Sequence, residues 1–552
     1  MQAVMRKMSW ASLAVICVAA HLAASDAEIR GVVKDNAGKP VRGALVKASA
    51  GAKSVSRFTQ KDGRYEITVP AGSFDVTVDA YGFAPKRQAK DTTQPGETNF
   101  NLTPRVELTH LTSAELQSLL PDNSQTKLIR ANCIACHSFG MIIMKRGYTA
   151  SEWPGFIPTM TRGRESTPTL TDFLANPAKL AALSAALAEY FGPDAPYFGP
   201  DADPINLDQV KHANLSESVL KATIREYTIP TPDSFPHSVT LDQQDNAWFG
   251  EIGPRANKIG RFDPLTENFQ EYPVPIPDAH PHTGAADART FWETLTFSGP
   301  EGDVNKTYAK LASVDRETGK VATYDFPGYD GHVHTLTLDQ DGNVWCSGSS
   351  VLKFDVKTRK FREYKLPIPS STPENTVEAW ENIPGQPPAP GAGTSYDVQV
   401  DSKGNVWASV QALGLLVRLD PATGETKTYY PPDTPSVKGL AVDAQDNVWF
   451  AGYHGNRLGR LDPKTGTFNL YRPPTGFATP YGLALDKKAG YVWFADLNGN
   501  NVTRFDPKTE QFAEYPIPSS NASPRFIGVD SKGRVWFTEF MNGKIGVVDP
   551  ER

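Results

Sequence analysis

A chain of 552 residues with 56 Lys and Arg against 62 Asp and Glu has room for several domains and, at a formal net charge of −6, no basic excess to suggest a nucleic-acid partner. Its 44 glycines and 45 prolines favour turns and strands over long helices. Four cysteines in such a length exclude a disulfide-built scaffold.

The first 25 residues, MQAVMRKMSWASLAVICVAAHLAAS, place Arg6 and Lys7 before an apolar run over 8–20 and small residues after it. That is the layout of a secretory signal peptide over 1–25, with Ala23 and Ser25 at the cleavage site. The apolar run is short for a membrane span, so a mature form without one is expected, in the periplasm or secreted. Cys17 follows Val15 and Ile16, not the small residue that lipid attachment needs. Removal of the signal would leave Cys133, Cys136 and Cys346.

Residues 28–103 alternate apolar and polar with period two, as in Tyr65, Ile67, Val69 and Phe74, Val76, Val78. Six short strands are expected: "IRGVVKD", "ALVKAS", "SVSRFTQ", "RYEITVP", "SFDVTVDA" and "TNFNLTP". Turns at Asn36–Lys39 and Lys61–Gly63 separate them into a small β-sandwich. The stretch "GVVKDNAGKPVRGALVKA" through "DGRYEITVPAGSFDVTVDAYGF" resembles the carboxypeptidase regulatory-like domain. The resemblance implies a binding or spacer module without a catalytic residue.

Over 108–200 the reading turns helical. "RANCIACHSFG" holds Cys133, Cys136 and His137 as C-x-x-C-H. Thiols at i and i+3 share a helix face and can each add to a haem vinyl group, and the adjacent histidine can reach the iron. A thioredoxin-like pair would need a βαβ unit around it. A zinc site would need two further ligands, and no second C-x-x-C exists. Ser124 is expected to cap a helix running into the motif, and Asn176 with Pro177 to open a second one, on which Leu180, Leu183, Leu187 and Tyr190 form a stripe. This region resembles a small class I cytochrome c, all-α, with one covalent haem c. Met160 is the expected distal ligand, with His110 or an open position as alternatives. Met141 and Met144 follow His137 on its own helix and cannot easily reach the opposite haem face.

Residues 204–552 are a repeat array. Seven aspartates are followed five to seven residues on by tryptophan: Asp242/Trp248, Asp287/Trp292, Asp339/Trp345, Asp401/Trp407, Asp443/Trp449, Asp486/Trp493 and Asp530/Trp536. Each unit continues with an element such as "IGRFDP" and a strand such as "FAEYPIP". Repeats of this kind are propeller blades, so the expected class is mostly β and multidomain, with a sandwich, a small helical domain and a seven-bladed propeller. The last unit lacks its outer strand, and "ATIREYTIP" (222–230) is expected to supply it and close the ring. "PHSVTLDQQDNAWFGE", "NKIGRFDP" and "VWFTEFMNGKIGVVDP" resemble the streptogramin (virginiamycin B) lyase family.

The residue five before each repeat aspartate should start the innermost strand near the axis: His237, His282, His334, Tyr396, Lys438, Tyr481 and Arg525. Histidines from three adjacent blades could bind a divalent metal, or hold an anion together with Lys438 and Arg525. His280, His332 and His454 lie nearby. Glu251 is expected within hydrogen-bond reach of His237, and Glu539 occupies the matching position of the last blade. The lyase resemblance implies a His–Glu pair in the closing blade, a metal-binding glutamate and a histidine from the blade before. Those positions here are Arg525, Glu539, Ser523 and Tyr481, so Glu539 alone keeps the family's residue. Cys346, beside Trp345, reads as a small core residue.

Three functions stay open at this stage. One is an exported electron-transfer or oxidoreductase protein with a periplasmic redox partner (a dehydrogenase or another cytochrome) and an unknown small molecule in the propeller. The second is a C–O lyase with accessory haem. The third is a non-catalytic sensor or scaffold.

Overall fold

The computed structural model describes residues 26–105, 111–133, 138–143, 146–161, 177–195, 198, 210, 215–253, 256–298, 307–329, 331–367, 369 and 394–550. The signal-peptide reading over 1–25, His110, Cys136, His137, Met144 and Asn176 fall outside the described residues, as does the side chain of Met160.

Six four-stranded antiparallel sheets, together with a seventh group of four strands inside a larger sheet, dominate the described residues. The first runs outward from the axis as Pro236–Leu241, Ala247–Glu251, Lys258–Asp263 and Asn268–Pro273. The other innermost strands are His280–Ala286, Val333–Leu338, Ser395–Val400, Val437–Val442, Pro480–Asp486 and Ile527–Val529. Each touches the next, and the last touches the first, so the ring closes.

The repeat signature has a direct physical cause. The indole N–H of Trp248, Trp292, Trp345, Trp407, Trp449 and Trp536 donates to the carboxylate of its own repeat aspartate at 2.9–3.1 Å. The same aspartates accept backbone N–H groups of the turn between the first two strands, as Asp401 does from Lys403 and Asn405. A buried indole needs an acceptor, and these turns deliver one. In the sixth unit the spacing is seven, and the Nε1 of Trp493 has no partner among the described residues.

Thr223–Thr228 supplies the outer strand of the seventh blade, antiparallel to Lys544–Asp549. Its other edge is also taken. It pairs antiparallel with Lys53–Phe58 of the N-terminal module, which merges blade seven and half of that module into one eight-stranded sheet. Glu226 in this strand accepts from Ser54 at 2.8 Å and pairs with Lys47 and Lys544 at 3.5 and 3.6 Å.

The N-terminal module has seven strands where six were expected. Lys86–Asp91 (KRQAKD) is the addition, an almost wholly exposed strand at the end of the eight-stranded sheet. A three-stranded sheet carries Asp26–Asp35 between Arg64–Pro70 and Phe100–Leu102. The core between the sheets includes Ile29, Val46, Ile67, Val76 and Leu102.

Helices Ser113–Ser118, Ser124–Cys133, Trp153–Thr161 and Pro177–Phe191 pack around Ile129, Phe139, Trp153, Leu183 and Phe191. Ser124 is not the cap expected of it. It is the first helical residue, and Asn123 accepts from the N–H of Thr126 at 2.9 Å in its place. These helices rest on blade six. The N–H of Ala114 donates to the carbonyl of Asn498 at 2.9 Å, and that of Phe139 to its side-chain oxygen at 3.2 Å. Asn498 lies just beyond Asp496, which pairs with Pro480 at the start of the innermost strand. The helices therefore sit on the end of the propeller where the innermost strands begin. No described helix is long and apolar enough to cross a membrane.

Candidate functional site

The innermost strands of six blades break register at the same place. In blade one Phe249 pairs with Val239 and Glu251 with Pro236, which leaves His237 and Ser238 opposite a single residue. Equivalent shifts bracket His282, His334, Tyr396, Lys438 and Tyr481. A bulge re-aims a side chain, and repetition round the ring gives these residues one common setting. Their backbones are clamped as well. The hydroxyl two residues after a repeat tryptophan donates to the neighbouring blade's site carbonyl: Thr294 to His334 at 2.7 Å, Ser347 to Tyr396 at 3.0 Å, Ser409 to Lys438 at 2.6 Å and Thr538 to His237 at 3.2 Å.

Three imidazoles meet. Ring centroids of His237 and His282 are 3.6 Å apart, those of His282 and His334 4.2 Å, and those of His237 and His334 5.8 Å. One nitrogen from each lies within 4.8 Å of the others. The Nδ1 of His282 is 3.2 Å from the carbonyl of His334, and the Nδ1 of His334 is 2.7 Å from the carbonyl of Tyr396. A carbonyl only accepts, so each Nδ1 carries a proton, which leaves Nε2 as the atom that each ring, in its neutral form, could offer a metal. His237 is fully buried and neither ring nitrogen has a hydrogen-bond partner among the described residues. Burial holds its pKa well below the ordinary value, and His282, Arg525, His334 and Lys438 add to the effect.

The rest of the ring is aromatic and cationic. His334 packs on Tyr396 at 4.0 Å, the Tyr396 hydroxyl bonds that of Tyr481, and Tyr481 leads through Phe526 back to His237. The ammonium of Lys438 sits 3.9, 4.1 and 4.9 Å from the ring centres of Tyr453, Tyr481 and Tyr396. The Arg525 guanidinium lies 3.7 Å from the centre of Phe540. Lys438 and Arg525 are both 2% exposed. His332 is pushed down to about 4 by burial and His282, and His454 to about 3 by burial and Lys438.

Glu251 does not bond His237, contrary to expectation. It lies at the outward-leading end of the second strand, opposite Lys258, and faces Glu271. Burial and the Glu271 charge push it up to about 8. Glu539 repeats the arrangement in blade seven. It is raised by burial and then by Glu226, which is lowered because Lys47, Lys544 and Ser519 more than offset its own burial. Neither glutamate supplies the charge that three imidazoles would share with a cation.

A raised carboxyl binds a proton in the folded chain that it releases when unfolded. Its contribution to stability is therefore full below about pH 4.5 and declines as pH rises towards 8. Glu251→Gln mimics the protonated form. It is expected to match the parent in thermal unfolding at pH 5 and to exceed it by about 1–3 kcal/mol at pH 9. Equal differences at the two pH values would refute the assignment.

Several site residues escaped the sequence reading. Tyr453, Phe526 and Phe540 are ordinary aromatic residues in repeat strands or beside them, and only the bulges and ring closure bring them to the axis. Glu293 is fully buried, and neither carboxyl oxygen has a partner among the described residues. An added Cβ at Gly250 or Gly284 would come within 2.6 or 2.4 Å of its carboxyl. Its signal was available: blades one, five, six and seven have Phe249, Phe450, Phe494 and Phe537 after the tryptophan, where blade two has Glu293. Cys346 is a buried core residue.

Residues 388–551 match the Virginiamycin B lyase family, and residues 28–107 match the carboxypeptidase regulatory-like domain. No curated protein matches the chain. Among solved structures, a streptogramin B lyase is 23% identical with a TM-score of 0.49, over 61% of this chain and 100% of its own. Selenomethionine-substituted virginiamycin B lyase from Staphylococcus aureus is 21% identical with a TM-score of 0.48, over 59% and 99%. Hydrazine synthase from Kuenenia stuttgartiensis is 12% identical with a TM-score of 0.44, over 58% and 96%. The chain thus joins a lyase-like propeller to a carboxypeptidase regulatory-like module.

Proposed function

We propose that this is an exported mono-haem c-type cytochrome protein, periplasmic or secreted, whose propeller binds a divalent metal through His237, His282 and His334. The helical segment 108–200 is the cytochrome c-like domain in this reading. The function is electron transfer or oxidoreduction of a small molecule, with a dehydrogenase or another cytochrome as redox partner. The observation that carries it is the histidine cluster, with the Nδ1 protons of His282 and His334 bound to carbonyls. Three neutral imidazoles are a common donor set for a divalent first-row metal and leave a coordination position for a further ligand.

The haem half of the proposal rests on the C-x-x-C-H motif. The residues described around it suit the group. Cys133 is free of any disulfide and ends its helix half-buried against the helical core. Burial pushes its thiol up to about 12, so it is neutral. The Nε1 of buried Trp153 and the Oγ of Ser184 have no partner among the described residues, which leaves polar atoms for a group such as a propionate. Cys133 and Cys136 would anchor the haem, His137 would bind the iron, and Met160 is the proposed distal ligand. Haem c supplies one-electron redox chemistry.

The test is composition. The chain expressed with haem-maturation machinery should show one haem-stained band after denaturation and one divalent metal per chain. Cys133→Ala with Cys136→Ala should remove the stain and leave the metal. Met160→Ala should abolish the sulfur-to-iron charge-transfer band of the ferric protein. A colourless wild-type protein would end the cytochrome reading.

A second reading, C–O lyase chemistry, is favoured by the match over 388–551. Glu539 holds the family's position, but Arg525 stands where that chemistry needs a base, and guanidinium does not give up its proton near neutral pH.

A further inference from the structure

Three adjacent blades carry a buried acid at the end of the second strand, facing a glutamate of the outer strand. Two of the three have a lysine between the acids. In blade one Glu251 is paired with Lys258, and Lys258 with Pro273, two residues after Glu271. Blade seven repeats the order as Glu539, Lys544 and Thr228, two residues after Glu226. Each ammonium is held by a hydroxyl and by the outer-strand glutamate. Lys258 donates to Thr231 at 2.6 Å and to Glu271 at 2.8 Å. Lys544 donates to Ser519 at 2.7 Å and pairs with Glu226 at 3.6 Å.

Blade six has the same frame without the lysine. Asp496 is paired with Asn501, and Asn501 with Pro516, two residues after Glu514. The N–H of Thr475 donates to Glu514 at 3.0 Å, as that of Thr231 does to Glu271 at 3.3 Å. Asn501 stands in the lysine's place, and its short side chain turns to Thr503 and to the carbonyl of Gly499. Asp496 is fully buried, and its Oδ2 has no partner among the described residues. A Cβ on Gly499 would collide with that oxygen. Gly499, Asn501, Glu514 and Thr475 line a cavity of about 160 Å³ between blade six, the N-terminal module and the helices. Its other acids are Glu115, which accepts from the N–H of Thr112, and the exposed Asp79. No basic side chain is among the described residues that line it. Other partners of Glu514 do not stand in the way of a cation. A carboxylate has about four acceptor sites, and Glu271 holds Lys258 while also accepting the N–H and the hydroxyl of Thr231.

We propose that this cavity binds a small primary amine in its ammonium form, held by Glu514 and Thr475 where a lysine side chain sits in blades one and seven, with its alkyl part against Leu45, Phe58 and Ile517. These three line the cavity and share one apolar cluster. The ligand's charge meets Asp496 as that of Lys258 meets Glu251. Burial pushes Asp496 up to about 7, and the Glu514 charge adds to the effect, so a cation bound beside it favours the ionised form. The site depends on neither the histidine cluster nor the haem reading.

The experiment uses the full-length chain and n-butylammonium, the counterpart of a lysine side chain, read by calorimetry at about pH 8, where an aliphatic amine is charged. One saturable site per chain is expected, and none for 1-butanol, which has the same alkyl chain and no charge. Glu514→Gln keeps the shape and an acceptor for the N–H of Thr475, and should weaken the amine about tenfold or more. Asn501→Lys supplies the ammonium from the chain itself, as blades one and seven do, and should abolish amine binding without lowering the thermal unfolding temperature. If Asn501→Lys folds poorly, Glu514→Gln decides alone. Absence of saturable binding would overturn the inference. So would 1-butanol binding as tightly as the amine, potassium displacing the amine at equal concentration, or both variants binding the amine as the parent does.

Discussion

On the proposed function, replacing His237, His282 and His334 together with alanine is expected to abolish divalent-metal binding while the propeller stays folded and the proposed haem stain stays intact. The imidazoles are not what holds the ring. The carbonyl of His334 loses the His282 Nδ1–H but keeps the Thr294 hydroxyl at 2.7 Å. The carbonyl of Tyr396 loses the His334 Nδ1–H but keeps the Ser347 hydroxyl at 3.0 Å. Each lost bond costs about 1 kcal/mol, and the removal of the fully buried His237 imidazole, which has no hydrogen-bond partner among the described residues, offsets part of that. The loss of metal should be far larger. Outer-sphere partners alone shift metal affinity about 10–100-fold, so removing a direct ligand should exceed that range with each single alanine. Metal content by elemental analysis, with thermal unfolding alongside, reads both effects. A triple variant that still holds one metal per chain would take the cluster out of consideration.

The ring was readable because its cause is local. A tryptophan that buries its indole needs an acceptor, the preceding turn supplies an aspartate, and the spacing recurs seven times in the sequence, with the bond made in six of the units. The five-residue offset from that aspartate led to His237, His282, His334, Tyr396, Lys438, Tyr481 and Arg525, since every innermost strand ends at its repeat aspartate or just before it. What the offset could not give was orientation. The bulges at these positions carry no common residue: serine, threonine, aspartate and glycine all follow the site residue. Hence Glu251, fourteen positions beyond His237, was expected on the wrong neighbour. The pairing of Lys53–Phe58 with Thr223–Thr228 was invisible for another reason. Both strands read as complete parts of their own units, and the bond between them spans more than 160 residues of chain. Lys86–Asp91 was missed because an exposed edge strand buries neither face and so shows no alternation.

Arg225→Pro is expected to destabilise the whole molecule by about 3 kcal/mol or more, whereas Arg225→Ala should cost little, its side chain being only half-buried. The residue sits in the middle of Thr223–Thr228, opposite Val547 on one side and Val55 on the other. On an edge strand a proline can turn its missing N–H towards solvent. Here neither edge is open, so whichever neighbour accepts from Arg225 loses its donor and keeps a buried acceptor. The consequence reaches beyond one bond. This strand both closes the propeller and carries the N-terminal module, so opening it exposes Lys544–Asp549 and Lys53–Phe58 as unpaired edges, each a template for association with other chains. Thermal unfolding should show one cooperative transition shifted down, with aggregates by size-exclusion chromatography above it. A proline variant that melts with the parent would mean that the strand is not held between its two neighbours. If only blade seven loosened while the N-terminal module kept its own transition, the two units would be joined in sequence but not in folding.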